Sequence, residues 1–214
     1  MFRRIYLDNS ATTPVDEEVL AEMMPFLTEN FGNPSSIHYF GQKARAAVDR
    51  ARHQVAALIN ARPNEIVFTS GGTESNNLAI RGLVEANRTK PGRGNGPDDD
   101  SATHRGLEIA IPTGNSAPHI ITSSIEHSSV KNVCEDLEKL GVRLTYLPVY
   151  QNGIVRIEDV KAAVNDDTIL ISIMTANNEI GTMQPVEEIG KFVRDLRREG
   201  RKIYFHTDAV QAVG

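Results

Sequence analysis

Asp208 follows a short β-forming run, Lys202-Ile203-Tyr204-Phe205, within the stretch His206-Thr207-Asp208-Ala209-Val210-Gln211. A carboxylate at a strand's C-terminal end lies where open α/β sheets bind ligands. Burying it alone is costly, and no Lys or Arg lies within six residues after Phe205, which leaves a ligand cation as its partner or a plain turn-capping role. Other polar side chains fall at equivalent edges. Ser70-Gly71-Gly72-Thr73 joins a strand-like Glu65-Ile66-Val67-Phe68-Thr69 to a helical pattern. Glycines there let backbone N–H groups approach an anion, the helix start adds partial positive charge, and Thr73 can offer its hydroxyl. The plainer reading is an N-cap with Glu74 in the first turn. The Lys of a Walker loop is missing. His127 opens a helix directly after a strand, and Asn178 stands in the polar loop Ala176-Asn177-Asn178-Glu179-Ile180-Gly181-Thr182. Thr73, His127, Asn178, Asp208 and Gln211 together offer a phosphate cradle, a flat imidazole, two amides and a carboxylate. A phosphorylated, aromatic, cationic ligand would use them all.

These residues need elements to hold them. Asp16 can cap a helix carrying Val19, Leu20, Met23, Met24 and Leu27, with a kink or early end expected at Pro25. Ala44, Ala47, Val48, Ala51, Val55, Leu58 and Ile59 keep a helical period up to Pro63. Glu65 to Thr69 reads as a strand, followed by a helix with Leu78, Ile80, Leu83 and Val84. His119 to Ser123 is a second strand. Val130, Val133, Cys134, Leu137 and Leu140 form the apolar face of the helix after His127, which Gly141 ends, and Cys134 reads as a packed small hydrophobe on that face. Val142 to Leu147 alternates as a strand, Val155 to Val164 carries a short helix, and Thr168 to Met174 is apolar enough to be covered on both faces. Pro185 begins a helix whose last turn holds Arg194, Arg197 and Arg198. The βαβαβ order predicts a mainly parallel sheet with helices on both faces.

The stretch from about 88 to 118 has another character. Pro91, Gly92, Gly94, Gly96, Pro97, Gly106, Pro112, Gly114 and Pro118 break regular structure, and Asp98-Asp99-Asp100 adds charge. It reads as a disordered surface insertion, expected to show no hydrogen-exchange protection from about Pro91 to Ala117. The expected division is an arm over 1–15 and a large domain over 16–214 that contains the insertion.

Over 214 residues, 24 % charged and 40 % hydrophobic composition is that of an ordinary globular protein, and the net charge of −5 argues against nucleic acid as the main partner. No apolar run approaches a membrane span, and no metal is expected. A single cysteine, Cys134, excludes an internal disulfide and points to a reducing, cytoplasmic compartment.

Pyridoxal phosphate (PLP) has every property the edge residues ask for, including a ring nitrogen that requires an acidic partner. The motifs Tyr6-Leu7-Asp8-Asn9-Ser10-Ala11-Thr12-Thr13-Pro14, Phe68-Thr69-Ser70-Gly71-Gly72-Thr73-Glu74-Ser75-Asn76-Asn77, Glu126-His127, Asn177-Asn178-Glu179-Ile180-Gly181 and His206 to Gln211 occur in the order found in cysteine desulfurases. The chain resembles these class V, fold-type I enzymes, and the related selenocysteine lyases, some of which carry an insertion at the equivalent of Arg88 to Pro118. The resemblance implies a three-layer fold-type I large domain, and a reaction that converts L-cysteine to L-alanine and leaves sulfur as a persulfide on an enzyme cysteine. A sulfur-acceptor protein and a homodimer are implied with it. Gly72 and Thr73 would bind the phosphate. His127 would stack on the ring and shuttle protons. Asn178 and Gln211 would contact ring substituents, and Asp208 would keep the ring nitrogen protonated.

In the family, the lysine that forms the Schiff base and the persulfide cysteine both come after the position matching Gly214, and Cys134 is not at the persulfide position. The expectation is therefore an N-terminal portion of a desulfurase, with the fold incomplete at its C-terminal end. Strands from beyond Gly214 would separate Ile66–Thr69 from Ile203–Phe205. Residues 1–214 alone are expected to associate, to bind PLP weakly and to lack activity. A selenocysteine lyase and a non-catalytic scaffold are the alternatives.

Overall fold

A computed structural model describes residues 4–87 and 117–213. They fall into two compact units, Met1–Thr69 and Ser70–Gly214. The expected insertion lies outside the described residues, apart from its last positions. There Ala117 is only 1 % exposed, so ordered packing begins earlier than the sequence suggests.

The first unit holds two helices. α1 (Glu17–Thr28) starts at Asp16, whose carboxylate accepts from the Glu18 N–H at 2.9 Å. The early end expected at Pro25 is not seen. The helix runs on to Thr28, because the N–H groups of Glu29 and Asn30 close the final turn on the Pro25 carbonyl. The apolar stripe of α1 is present, yet no residue of the helix is buried. α2 (Tyr39–Leu58) begins well before the apolar period does, capped by the His38 ring accepting from the Gly41 N–H. Gly41 is required at that turn, since a Cβ there would stand 2.2 Å from the Ser36 carbonyl oxygen.

The strand expected over Glu65 to Thr69 does not form. Pro63–Glu65 is a single 3-10 turn and residues 66–69 are irregular. β-propensity needs a neighbouring strand to satisfy its ladder, and among the described residues this segment has none. It is held by α2 instead. The Arg52 guanidinium donates to the Ile66 carbonyl and lies 4.8 Å from the centre of the Phe68 ring.

The second unit is a three-layer α/β structure. It comprises α3 (Gly72–Ala86), β1 (His119–Ser123), α4 (Ser128–Lys139), β2 (Arg143–Leu147), α5 (Ile157–Ala163), β3 (Thr168–Ser172), α6 (Val186–Arg198) and β4 (Tyr204–His206). The four strands are ordered β2-β1-β3-β4 and every pairing is parallel. Strand periodicity sorts the side chains between two cores. Ile120 and Leu170 face one core, with Ile80 and Val84 of α3 and Val130, Val133, Cys134 and Leu137 of α4. Ile121 and Ile171 face the other, with Ile157 and Val160 of α5 and Ile189 and Val193 of α6. Such a two-sided cover explains why β1 is buried along its whole length.

Cys134 is fully buried in the first core, and burial pushes its thiol up to about 12. The reactive species is the thiolate, so Cys134 is a packing residue. Native protein at pH 8 should leave Cys134 unalkylated by iodoacetamide, while denatured protein reacts fully. Mass spectrometry reads the difference, and rapid labelling of the native state would contradict this packing.

Candidate cofactor site

The connection from β1 leads to β2 on one side, and the chain then returns to place β3 on the other. The C-terminal ends of β1 and β3 therefore border the switch point, where open parallel sheets leave a crevice. Glu126 spans it. One carboxylate oxygen accepts from the Ser123 hydroxyl at 2.6 Å and from the Met174 N–H at 2.9 Å, tying the two strand ends together. Its other oxygen is buried without a hydrogen-bond partner among the described residues.

Burial raises the Glu126 carboxyl from 4.5 to about 7, with the Asp208 charge adding to the rise and the Ser123 and Met174 bonds opposing it. Between these two pH values the folded state holds more of this proton than the unfolded chain does. Stability should fall as pH rises between these two values and level off above the higher one. Glu126→Gln keeps an accepting oxygen and removes the charge. It should flatten that slope, and relative to its value near pH 4 should gain up to ~3 kcal/mol over the parent at pH 8. Urea unfolding at the two pH values measures this, and parallel pH slopes would rule it out.

The β4 strand delivers the carboxylate. Ile173 N–H donates to the His206 carbonyl at 3.1 Å and Thr175 N–H to the Asp208 carbonyl at 2.8 Å, so the chain beyond β3 stays zipped to the chain beyond β4. His206 is pinned by the Ser172 hydroxyl at 2.9 Å, and burial lowers its ring below the usual range. Asp208 is only 9 % exposed. One of its oxygens accepts from the Asn76 amide at 2.8 Å and the other from the Val210 N–H at 3.1 Å. Among the described residues no Lys or Arg pairs with it. A carboxylate has about four acceptor sites. Capacity therefore remains for a cationic N–H.

α3 brings the anion end against the same turn. Its N-cap Gly71 provides no side-chain cap, and a helix start of this kind presents backbone N–H groups and partial positive charge to an anion. Glu74, which the plainer reading placed in the first turn, folds back to accept from the N–H and hydroxyl of Ser70 at 2.6 and 2.7 Å. At Gly72 a Cβ would stand 2.8 Å from a Val210 methyl, so glycine lets the helix start approach the 208–210 turn without displacing that side chain. Thr73 is exposed beside it.

His127 is the N-cap of α4, its ring exposed and its Nδ1 accepting from the Ser129 N–H at 3.2 Å. Asn178 is half-buried on a loop fixed by its neighbour. The Asn177 side chain accepts from the N–H groups of Glu179 and Ile180, both at 2.9 Å, and donates to the Ile125 carbonyl at 3.0 Å. Gln211 is exposed just past the Asp208 turn. Direct contacts thus join Gly72, Asp208 and His127 through shared neighbours. Asn178 and Gln211 stand on flanking loops.

Two residues that join these groups carry no signal of their own in the sequence. Asn76 sits one turn after Thr73, on the same helix face, and Ser129 two residues after His127. Helical spacing from the phosphate loop was the available signal for Asn76.

A helix start suited to an anion, a buried carboxylate with no cationic partner among the described residues and an exposed imidazole fit PLP. The aminotransferase class-V family model matches residues 5–94 and 102–214. The chain belongs to this family. Among curated members, it is 49 % identical to cysteine desulfurase IscS of Dictyoglomus turgidum over 214 residues, covering 100 % of this chain and 46 % of that protein. It is also 49 % identical to putative cysteine desulfurase IscS 1 of Bacillus subtilis over 211 residues, covering 99 % and 48 %. Of the solved structures, a NifS-like protein superposes with TM-score 0.80 at 36 % identity, covering 98 % of this chain and 50 % of that one. A structure described as SspA in complex with cysteine gives TM-score 0.79 at 38 % identity, covering 97 % and 51 %. The chain therefore spans about half the length of the class-V relatives it matches. Cysteine desulfurases of the class-V family depend on PLP.

Proposed function

We propose that this chain forms the cofactor-binding part of a PLP-dependent cysteine desulfurase, which converts L-cysteine and an enzyme thiol to L-alanine and an enzyme persulfide. The buried Asp208 carboxylate, with no cationic partner among the described residues, carries this reading. It fits a protonated ring nitrogen next to a helix start shaped for a phosphate.

Bound there, PLP supplies an electron sink for negative charge developing at the substrate's α-carbon. The protein residues supply the rest. Gly72 and Thr73 hold the phosphate at the start of α3. Asp208 keeps the ring nitrogen protonated. His127 covers the ring face and moves protons, while Asn178 and Gln211 contact ring substituents, Gln211 at the phenolic oxygen. Cys134, buried in the core, does not serve as the sulfur-accepting thiol. A homodimer in the cytoplasm that hands sulfur to an acceptor protein, for iron–sulfur cluster or thio-cofactor synthesis, completes the proposal.

The test is direct. Full-length protein loaded with PLP should produce alanine from L-cysteine, and a persulfide that is released as sulfide on adding a thiol reductant. PLP binding with no alanine formed from cysteine would overturn the assignment.

A further inference from the structure

We propose that Asn76 is a positioning residue that couples the Asp208 carboxylate to the tautomer of His127 through Ser129; this rests on the PLP-site reading above. Asn76 is 4 % exposed and belongs to α3, while Ser129 belongs to α4 and Asp208 to the turn after β4. The Asn76 Nδ2 donates to Asp208 Oδ2 at 2.8 Å and to Ser129 Oγ at 2.9 Å. An amide nitrogen has two hydrogens, and both are thereby committed. The opposite amide orientation would set its oxygen against the carboxylate, so the charge on Asp208 fixes the direction of the relay.

That direction propagates. Ser129 Oγ accepts from Asn76, which leaves its single hydrogen for His127 Nδ1, 2.8 Å away. The Ser129 backbone N–H points at the same Nδ1 from 3.2 Å. With two donors aimed at it, Nδ1 must present its lone pair, and the proton of the neutral ring sits on Nε2. Among the described residues Nε2 has no hydrogen-bond partner. His127 therefore offers an N–H to the site from Nε2, and the choice of nitrogen is set jointly by the Ser129 backbone N–H and by the relay from a carboxylate in another loop. The arrangement parallels metal-bound histidines, whose tautomer is set by the partner of the far nitrogen. Here the partner chain is Asp208, Asn76 and Ser129.

Full-length protein labelled with ¹⁵N-histidine tests this. Multiple-bond ¹H–¹⁵N correlations should show His127 with an unprotonated Nδ1 and a protonated Nε2, before and after PLP is added. Asn76→Leu and Ser129→Ala should each shift His127 to a mixture of tautomers, whereas Ser129→Thr, which keeps the hydroxyl, should retain the parent pattern. A parent spectrum with the proton on Nδ1 overturns the proposal outright, whatever the variants do. So does an unchanged tautomer in both Asn76→Leu and Ser129→Ala. If the tautomer pattern holds in cofactor-free protein but PLP fails to bind the parent, the relay stands and the cofactor reading falls.

Discussion

Replacing His127 by Asn should leave the fold intact and reduce cysteine turnover of the full-length PLP enzyme by roughly 10²–10⁴-fold, the usual range for a lost general acid–base. Asn is the informative substitute because His127 has two jobs in the structure. It is the N-cap of α4, its ring accepting the Ser129 N–H, and it is exposed just past the C-terminal end of β1. Ala would remove both, costing about 1 kcal/mol in capping alone. Asn is among the best N-cap residues, so it restores the cap and withholds the imidazole. The expected result is an unchanged melting temperature with kcat collapsed. Near-parent turnover in His127→Asn would reduce His127 to a helix-start residue, and so would loss of turnover in His127→Ala that Asn repairs.

The second unit was largely legible in the sequence because both faces of its sheet are covered. Ile120 with Ile121, and Leu170 with Ile171, are adjacent apolar pairs that no half-exposed strand would carry, and they divide between the two cores. The helices flanking them, such as the one carrying Val130, Val133, Cys134 and Leu137, bury the face their spacing marks. Residues 65–69 misled for the opposite reason. Ile66, Val67 and Phe68 have strand character, but a strand is a property of a pair, and here Arg52 of α2 takes the Ile66 carbonyl and covers the Phe68 ring instead. Pro25 misled because it lies late in α1, where one lost hydrogen bond is offset by the turn closing on its own carbonyl.

The site was legible where function demands a residue type at a strand end, and illegible where function demands contact across the fold. Asp208 and His127 announce themselves by position after a strand, and the Gly72-Thr73 turn by its place at a helix start, although no strand precedes it among the described residues. Asn76, Ser129 and Glu126 do their work through bonds to partners as far as 132 residues away, which no local pattern encodes. Asn178 is a related case. The pair Asn177-Asn178 stands out, but only the contacts tell that Asn177 is the one that braces the loop, with Asn178 half-buried on it.

Asp208→Asn should weaken PLP binding by about 10–150-fold and lower stability together, because both carboxylate oxygens already accept. That range corresponds to the ~1.5–3 kcal/mol of a hydrogen bond to a charged group. In the parent, Oδ2 takes the Asn76 amide hydrogen and Oδ1 takes the Val210 N–H. An asparagine amide must turn its NH₂ toward one of these donors, leaving a buried donor opposed by another, which costs about 1–3 kcal/mol. The substitution also removes the negative charge that matches a protonated ring nitrogen, so turnover should fall further than binding does. The two losses separate experimentally. Pairing Asp208→Asn with Asn76→Asp places an acceptor where the parent has a donor and relieves the donor clash. Stability should then recover through the new amide-to-carboxylate bond, while turnover should not, since no carboxylate has returned to position 208. Unfolding curves and PLP titrations on the two single variants and the pair measure both quantities. Full recovery of turnover in the pair would show that Asp208 serves the fold alone and is not the partner of the ring nitrogen.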